Sequence, residues 1–156
     1  LAALKDRFVL KAESQWVRDR HFDALIDAGL DNESYKAFNQ RPWQDLADLD
    51  DFLKLKSYLD HVMSGRDGGQ KDRETYFPEP VYALFRRVLK TLEKENRVEI
   101  SDRKVIKLYK LIRTRAFLFH GGVVTRDDLR LLRYVADRTP DLEPVRQKVD
   151  ALLHLD

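Results

Sequence analysis

Residues 77–122, FPEPVYALFRRVLKTLEKENRVEISDRKVIKLYKLIRTRAFLFHGG, decide the fold. After Pro78 and Pro80, the residues Val81, Leu84, Phe85, Val88, Leu89 and Leu92 recur at i, i+3, i+4, i+7, i+8 and i+11. That period is one face of an amphipathic helix. Ser101 is placed to cap a second helix, in which Val105, Leu108, Tyr109, Ile112 and Ala116 form a stripe that Ile106, Leu111 and Phe117 widen. A surface so broad predicts a central helix, ended by Gly121 and Gly122.

Working outward, Thr125 with Asp128 imitates a capping box for a helix carrying Leu129, Leu132 and Val135, which Pro140 closes. A last helix starts near Leu142 and carries Val145, Val149, Leu152 and Leu153. Upstream, Leu49, Phe52, Leu53, Leu55, Tyr58, Leu59 and Val62 recur at steps near three and four, behind the acids Asp45, Asp48, Asp50 and Asp51 that favour a helix start. Residues 14–29 predict one or two helices ending on Gly29, and residues 30–43 a packed irregular connection with room for a short helix. Residues 64–74, SGRDGGQKDRE, hold three glycines and no apolar side chain, which predicts a mobile loop. Residues 7–12, RFVLKA, suit one short strand or an extended entry segment. The expected fold is mainly α, a bundle of five or six helices with that single N-terminal strand or extended segment.

The chain has 156 residues, 43% of them hydrophobic and 36% charged, enough for a self-sufficient core and far from the composition of a disordered segment. No apolar run approaches the ~20 residues that cross a bilayer, and the first residues put charges where a signal peptide would need an apolar core, so the expected compartment is cytoplasmic. The opening at Leu1, with no initiator Met, reads as a piece of something longer. With no cysteine, and with His21, His61, His120 and His154 scattered, neither a zinc set nor a metalloprotease helix is expected. The acids at 45–51 lack the glycine and terminal Glu of a calcium loop. Gly69 is followed by Gln70 and Lys71, so residues 64–74 are not a phosphate loop.

Charge is uneven. Residues 1–80 hold 12 Lys/Arg against 16 Asp/Glu, whereas residues 81–156 hold 17 against 11. Within 100–138, ten cations (Arg103, Lys104, Lys107, Lys110, Arg113, Arg115, Arg126, Arg130, Arg133, Arg138) face four acids. Such a surface is either a solvated helix face or an anion site for phosphate or nucleic acid. Lys104, Lys107, Lys110 and Arg113 drift around their helix by about 60° per step, which is poor focus for a recognition helix. Arg103 and Lys104 stand in a helix's first turn, where a cation opposes the macrodipole by roughly a few tenths of a kcal/mol unless an anion offsets it. Phosphate is such an anion, because free N–H groups and a guanidinium fork both suit its oxygens.

Three segments in this order, ALKDRFVLK, the block FPEPVYALFRRVLKTLEKENRVEISDRKVIKLYKLIRTRAFLFHG and VVTRDDLRLLRYV, resemble the C-terminal portion of MoxR-type AAA+ ATPases, particularly the RavA-like branch. The resemblance implies that residues 1–12 are the tail of the α/β core, residues 13–76 a variable helical connection, and residues 77–156 the all-α lid. It implies that Arg7 is the arginine finger reaching ATP in the neighbouring subunit, and Arg103 the sensor-2 arginine reading the γ-phosphate of its own subunit, with Lys104 as the fallback. A finger supplied in trans makes hydrolysis depend on assembly. Walker A, Walker B and sensor 1 are absent from these residues, so this piece is expected to bind no cofactor and hydrolyse nothing by itself. The parent would use ATP and Mg2+, work as a ring taken to be a hexamer, and act on partners such as von Willebrand factor A-domain proteins. The competing readings are a helical nucleic-acid-binding module built on the basic 100–138 surface and a plain protein-interaction bundle.

Overall fold

A computed structural model of the chain describes residues 8–14, 21–40, 45–63 and 70–154. The described residues hold six α-helices, α1 (Phe22–Ala37), α2 (Leu49–Met63), α3 (Gln70–Tyr76), α4 (Glu79–Asn96), α5 (Asp102–His120) and α6 (Leu142–His154). Two 3-10 helices, Arg126–Tyr134 and Thr139–Asp141, lie between α5 and α6, and no strand occurs among the described residues. The mainly α bundle is thus as the sequence predicts, and residues 8–14 take the extended alternative. The chain divides into two compact units, residues 13–60 and residues 1–12 with 61–156.

In the larger unit the core is where the apolar periods place it. Val88 and Leu92 of α4, Leu108, Ile112 and Ala116 of α5, Leu129 and Leu132 of the first 3-10 helix, and Val145 and Val149 of α6 are fully buried. Phe77, at the turn from α3 to α4, packs edge-on to Tyr82 (5.2 Å between ring centres) and stacks on Tyr109 (5.6 Å). These two geometries are favoured for aromatic pairs. Val9 of the extended segment is buried in the same core, and the Lys11 N–H donates to the Tyr134 carbonyl at 2.7 Å.

The helix ends follow their sequence signals. Ser101 Oγ accepts from the Lys104 N–H at 3.2 Å, and Gly121, at φ 79°, closes α5 in the left-handed region that glycine enters without steric cost. α4 closes on Arg97, at φ 54°, an uncommon conformation for a residue with a Cβ.

Three local expectations are corrected. The segment after Thr125 is 3-10 rather than α: its buried Leu129, Leu132 and Val135 are spaced by three, which lines one face at 3.0 residues per turn and drifts at 3.6. α3 occupies residues 70–76, the second half of the expected loop; the loop's three glycines all precede Gln70. Residues 64–69 lie outside the described residues.

In the smaller unit, α1 runs through Gly29 to Ala37 instead of ending there. One glycine in a helix costs only about 1 kcal/mol, and the chain turns at Asn39, which takes φ 50°. The acids before α2 form a reciprocal cap: Asp51 N–H donates to Asp48 Oδ1 at 2.8 Å and Asp48 N–H to Asp51 Oδ2 at 3.2 Å. That cap accounts for two acids of the cluster by helix initiation. No residue of α1 is buried.

Candidate functional site

The first turn of α5 sets the candidate site. Its leading N–H groups have no intrahelical acceptor, and Ser101 satisfies the one at Lys104. Arg103, one residue into the helix, is exposed and has no hydrogen bond or ion pair among the described residues. A guanidinium standing free beside helix N–H groups has the chemistry to take phosphate oxygens.

Lys104, next in the chain, has a different task. Only 3% exposed, its ammonium donates to the Glu99 carbonyl at 2.9 Å, to Asp137 Oδ1 at 3.1 Å and to the Val135 carbonyl at 3.2 Å. Three donors meet three acceptors, so no donor is left for a phosphate. Asp137 also accepts the Glu99 N–H at 2.6 Å. Burial works against its charge, but the Glu99 N–H and the Lys104 ammonium outweigh that and hold the carboxyl below the usual carboxylate range. From the extended segment, the Lys11 ammonium reaches the Ala136 and Asp137 carbonyls, each at 2.9 Å. The same small knot of residues therefore fixes the start of α5, the end of the first 3-10 helix and the incoming chain.

A second knot closes the far end of α5. Asp128, fully buried, accepts from the Thr125 N–H (2.8 Å), the Thr125 hydroxyl (2.9 Å), the Arg115 guanidinium and the His120 ring (3.0 Å). Desolvation raises its pKa, yet these donors together lower it below the ordinary value. Arg115 also bonds Asp127 at 2.8 Å.

The basic run 100–138 is largely occupied inside the fold. Arg130 pairs with Asp127, Arg133 with Asp150 and Arg138 with Asp141, while Arg126 donates to the Leu153 carbonyl. Arg113, 5% exposed, lies over the Tyr76 ring at 4.9 Å and donates to the Tyr109 hydroxyl at 3.2 Å. With Lys104 and Arg115 counted, and Lys107 and Lys110 also engaged, nine of the ten cations have interactions among the described residues, which leaves little of the surface that a nucleic-acid module would need. Arg103, Lys107 and Lys110 follow i, i+4, i+7 on one side of α5. Stepping by threes from Lys104 hides that row; counting from Arg103 finds it. Arg7 lies outside the described residues.

The geometry defines a helical bundle with one free arginine at a helix start. Residues 80–149 match the family model described as AAA lid domain, a span that contains Arg103 and Lys104. The match supports an AAA+ ATPase lid in this part of the chain. No curated protein and no solved structure matches the chain significantly. No described helix is long and apolar enough to cross a membrane.

Proposed function

We propose that the chain is the lid, with the tail of the preceding core, of a MoxR-type AAA+ ATPase of the RavA-like branch. The observation that carries this reading is Arg103: free, exposed and set in the first turn of α5 within the segment similar to AAA lids. In this role Arg103 reads the γ-phosphate of ATP bound with Mg2+ by the same subunit. It is preferred to Lys104, whose ammonium is enclosed. Arg7 is the finger that reaches the neighbouring subunit's ATP. AAA lids belong in general to oligomeric assemblies, and the parent is a ring, taken as a hexamer, that remodels partners such as von Willebrand factor A-domain proteins.

The test is made in the full-length parent. Arg103→Ala is expected to slow ATP hydrolysis and to weaken discrimination between ATP and ADP, since positive charge against the γ-phosphate is the main catalytic term in phosphoryl transfer. Unchanged turnover together with unchanged ATP and ADP affinities would remove the sensor role. Arg7→Ala is expected to abolish hydrolysis while ATP still binds; normal turnover in that variant would remove the finger.

A further inference from the structure

Residues 8–11 touch the lid without being next to it in the chain, because the separate unit 13–60 intervenes before the chain returns at residue 61. Chain connectivity therefore does not hold the extended segment against the first 3-10 helix; its own contacts do. Val9 is buried in the core and Leu10 packs against it. Lys11 adds three hydrogen bonds: its N–H donates to the Tyr134 carbonyl, and its ammonium to the Ala136 and Asp137 carbonyls. All three acceptors fall within residues 134–137, at the end of that 3-10 helix.

The same four residues face the start of α5 from the other side. The Val135 carbonyl accepts the Lys104 ammonium, and the two carboxylate oxygens of Asp137 are divided between Lys104 and the Glu99 N–H. Ala136, between them, is 1% exposed, and close packing there gives the segment little freedom to shift. Residues 134–137 thus form a bridge with Lys11 on one side and Glu99 and Lys104 on the other. Arg103 stands between the Ser101 cap and Lys104. Its side chain has no partner among the described residues, so its placement comes from the backbone on either side. A group that must meet a reacting phosphate tolerates little error, since a misplacement of about 1 Å can cost about a hundredfold in rate.

We infer that Lys11 is a positioning residue for Arg103. By holding the Ala136 and Asp137 carbonyls it fixes the bridge that sets the first turn of α5, and so ties the reach of the Arg103 guanidinium to the segment that enters the lid. Lys11 itself touches no nucleotide in this role. The inference deepens the sensor reading of Arg103 and rests on it.

The test uses the full-length parent. Lys11→Met keeps the apolar stem and removes the donors; it is expected to lower kcat for ATP hydrolysis roughly tenfold while KM for ATP moves less than about threefold. Lys11→Arg, which can still donate to both carbonyls, is expected to recover most of the loss. Adding Lys11→Met to Arg103→Ala is expected to slow turnover no further than Arg103→Ala alone, whereas a purely structural lysine would give additive losses. Without nucleotide, Lys11→Met is expected to speed hydrogen exchange at the Glu99 and Lys104 amides severalfold and to leave the Val124 amide, at the far end of α5, unchanged. Parent-like turnover in Lys11→Met beside a slowed Arg103→Ala, additive losses in the double variant, no recovery in Lys11→Arg, or unchanged exchange at Glu99 and Lys104 would each overturn the inference and leave the sensor reading standing. Normal turnover and nucleotide affinities in Arg103→Ala alone would remove the sensor reading, and the inference with it.

Discussion

Arg103 and Lys104 are consecutive residues on different faces of one helix: the first ends in solvent, and the second is buried with its ammonium 3.1 Å from Asp137. A rotation of about 100° per residue separates them, and it divides a basic pair into one cation that holds the fold and one that does not. Arg103→Ala is therefore expected to leave thermal or urea unfolding within about 0.5 kcal/mol of the parent. Lys104→Met takes the ammonium from a partly buried carboxylate and two carbonyls, at an expected cost of about 3 kcal/mol. Equal losses from the two variants in denaturant titrations would contradict the assignment.

Acid is expected to open the bundle through Asp128 and Asp137. Burial resists the charge of both, but their donors win and set both folded pKa values below the unfolded ones. A carboxyl of that kind stabilises the fold fully above its unfolded pKa and loses the contribution as pH falls through the folded value. Asp128→Asn is expected to cost about 2–3 kcal/mol at neutral pH, through lost charge-assisted hydrogen bonds. Its unfolding free energy should also fall less than the parent's between neutral and acidic pH. A parallel pH profile in the two proteins would show that Asp128 is not a source of acid sensitivity.

What the sequence makes legible here is what short spacing controls. The stripe from Val81 to Leu92, the Ser101 cap, the Gly121 stop and the Thr125–Asp128 pairing all act within four residues or along one helix face, and each is found in the structure. Lys104 and Arg133 are different, because their partners lie 33 and 17 residues away, across packing that a linear reading does not contain. Counting four acids against ten cations in 100–138 made that surface look freer than it is, since Asp141 and Asp150 arrive from beyond the window. The 3-10 segment escaped for a different reason: apolar residues spaced by three fit either helix, and tertiary packing selects one.

Two glycines separate local geometry from composition. Gly29 sits inside α1 with nothing within 4 Å of an added Cβ, whereas Gly121 closes α5 at φ 79°. Gly29→Ala is expected to raise stability by up to about 1 kcal/mol through helix propensity. Gly121→Ala is expected to lower it by about 1 kcal/mol, because a side chain resists the left-handed region. Thermal unfolding of the two variants decides it, and a loss at Gly29 would mean that α1 does not continue past that residue.

Arg113 gives the remaining prediction. It is buried and has no carboxylate partner among the described residues; its guanidinium rests instead on the Tyr76 ring and the Tyr109 hydroxyl. A desolvated cation over an aromatic face gains about 2 kcal/mol, so the Tyr76 ring holds this charge where the interior would otherwise reject it. Tyr76 also ends α3, and its carbonyl accepts the Val124 N–H at 2.8 Å, which joins α3 to the turn after α5. Tyr76→Phe keeps the ring face and is expected to change stability little. Tyr76→Leu removes the face while keeping apolar bulk, and is expected to cost about 1–2 kcal/mol and to speed hydrogen exchange at Val124. If Leu served as well as Phe in both measurements, bulk rather than the charge on the ring would be what holds α3 in place.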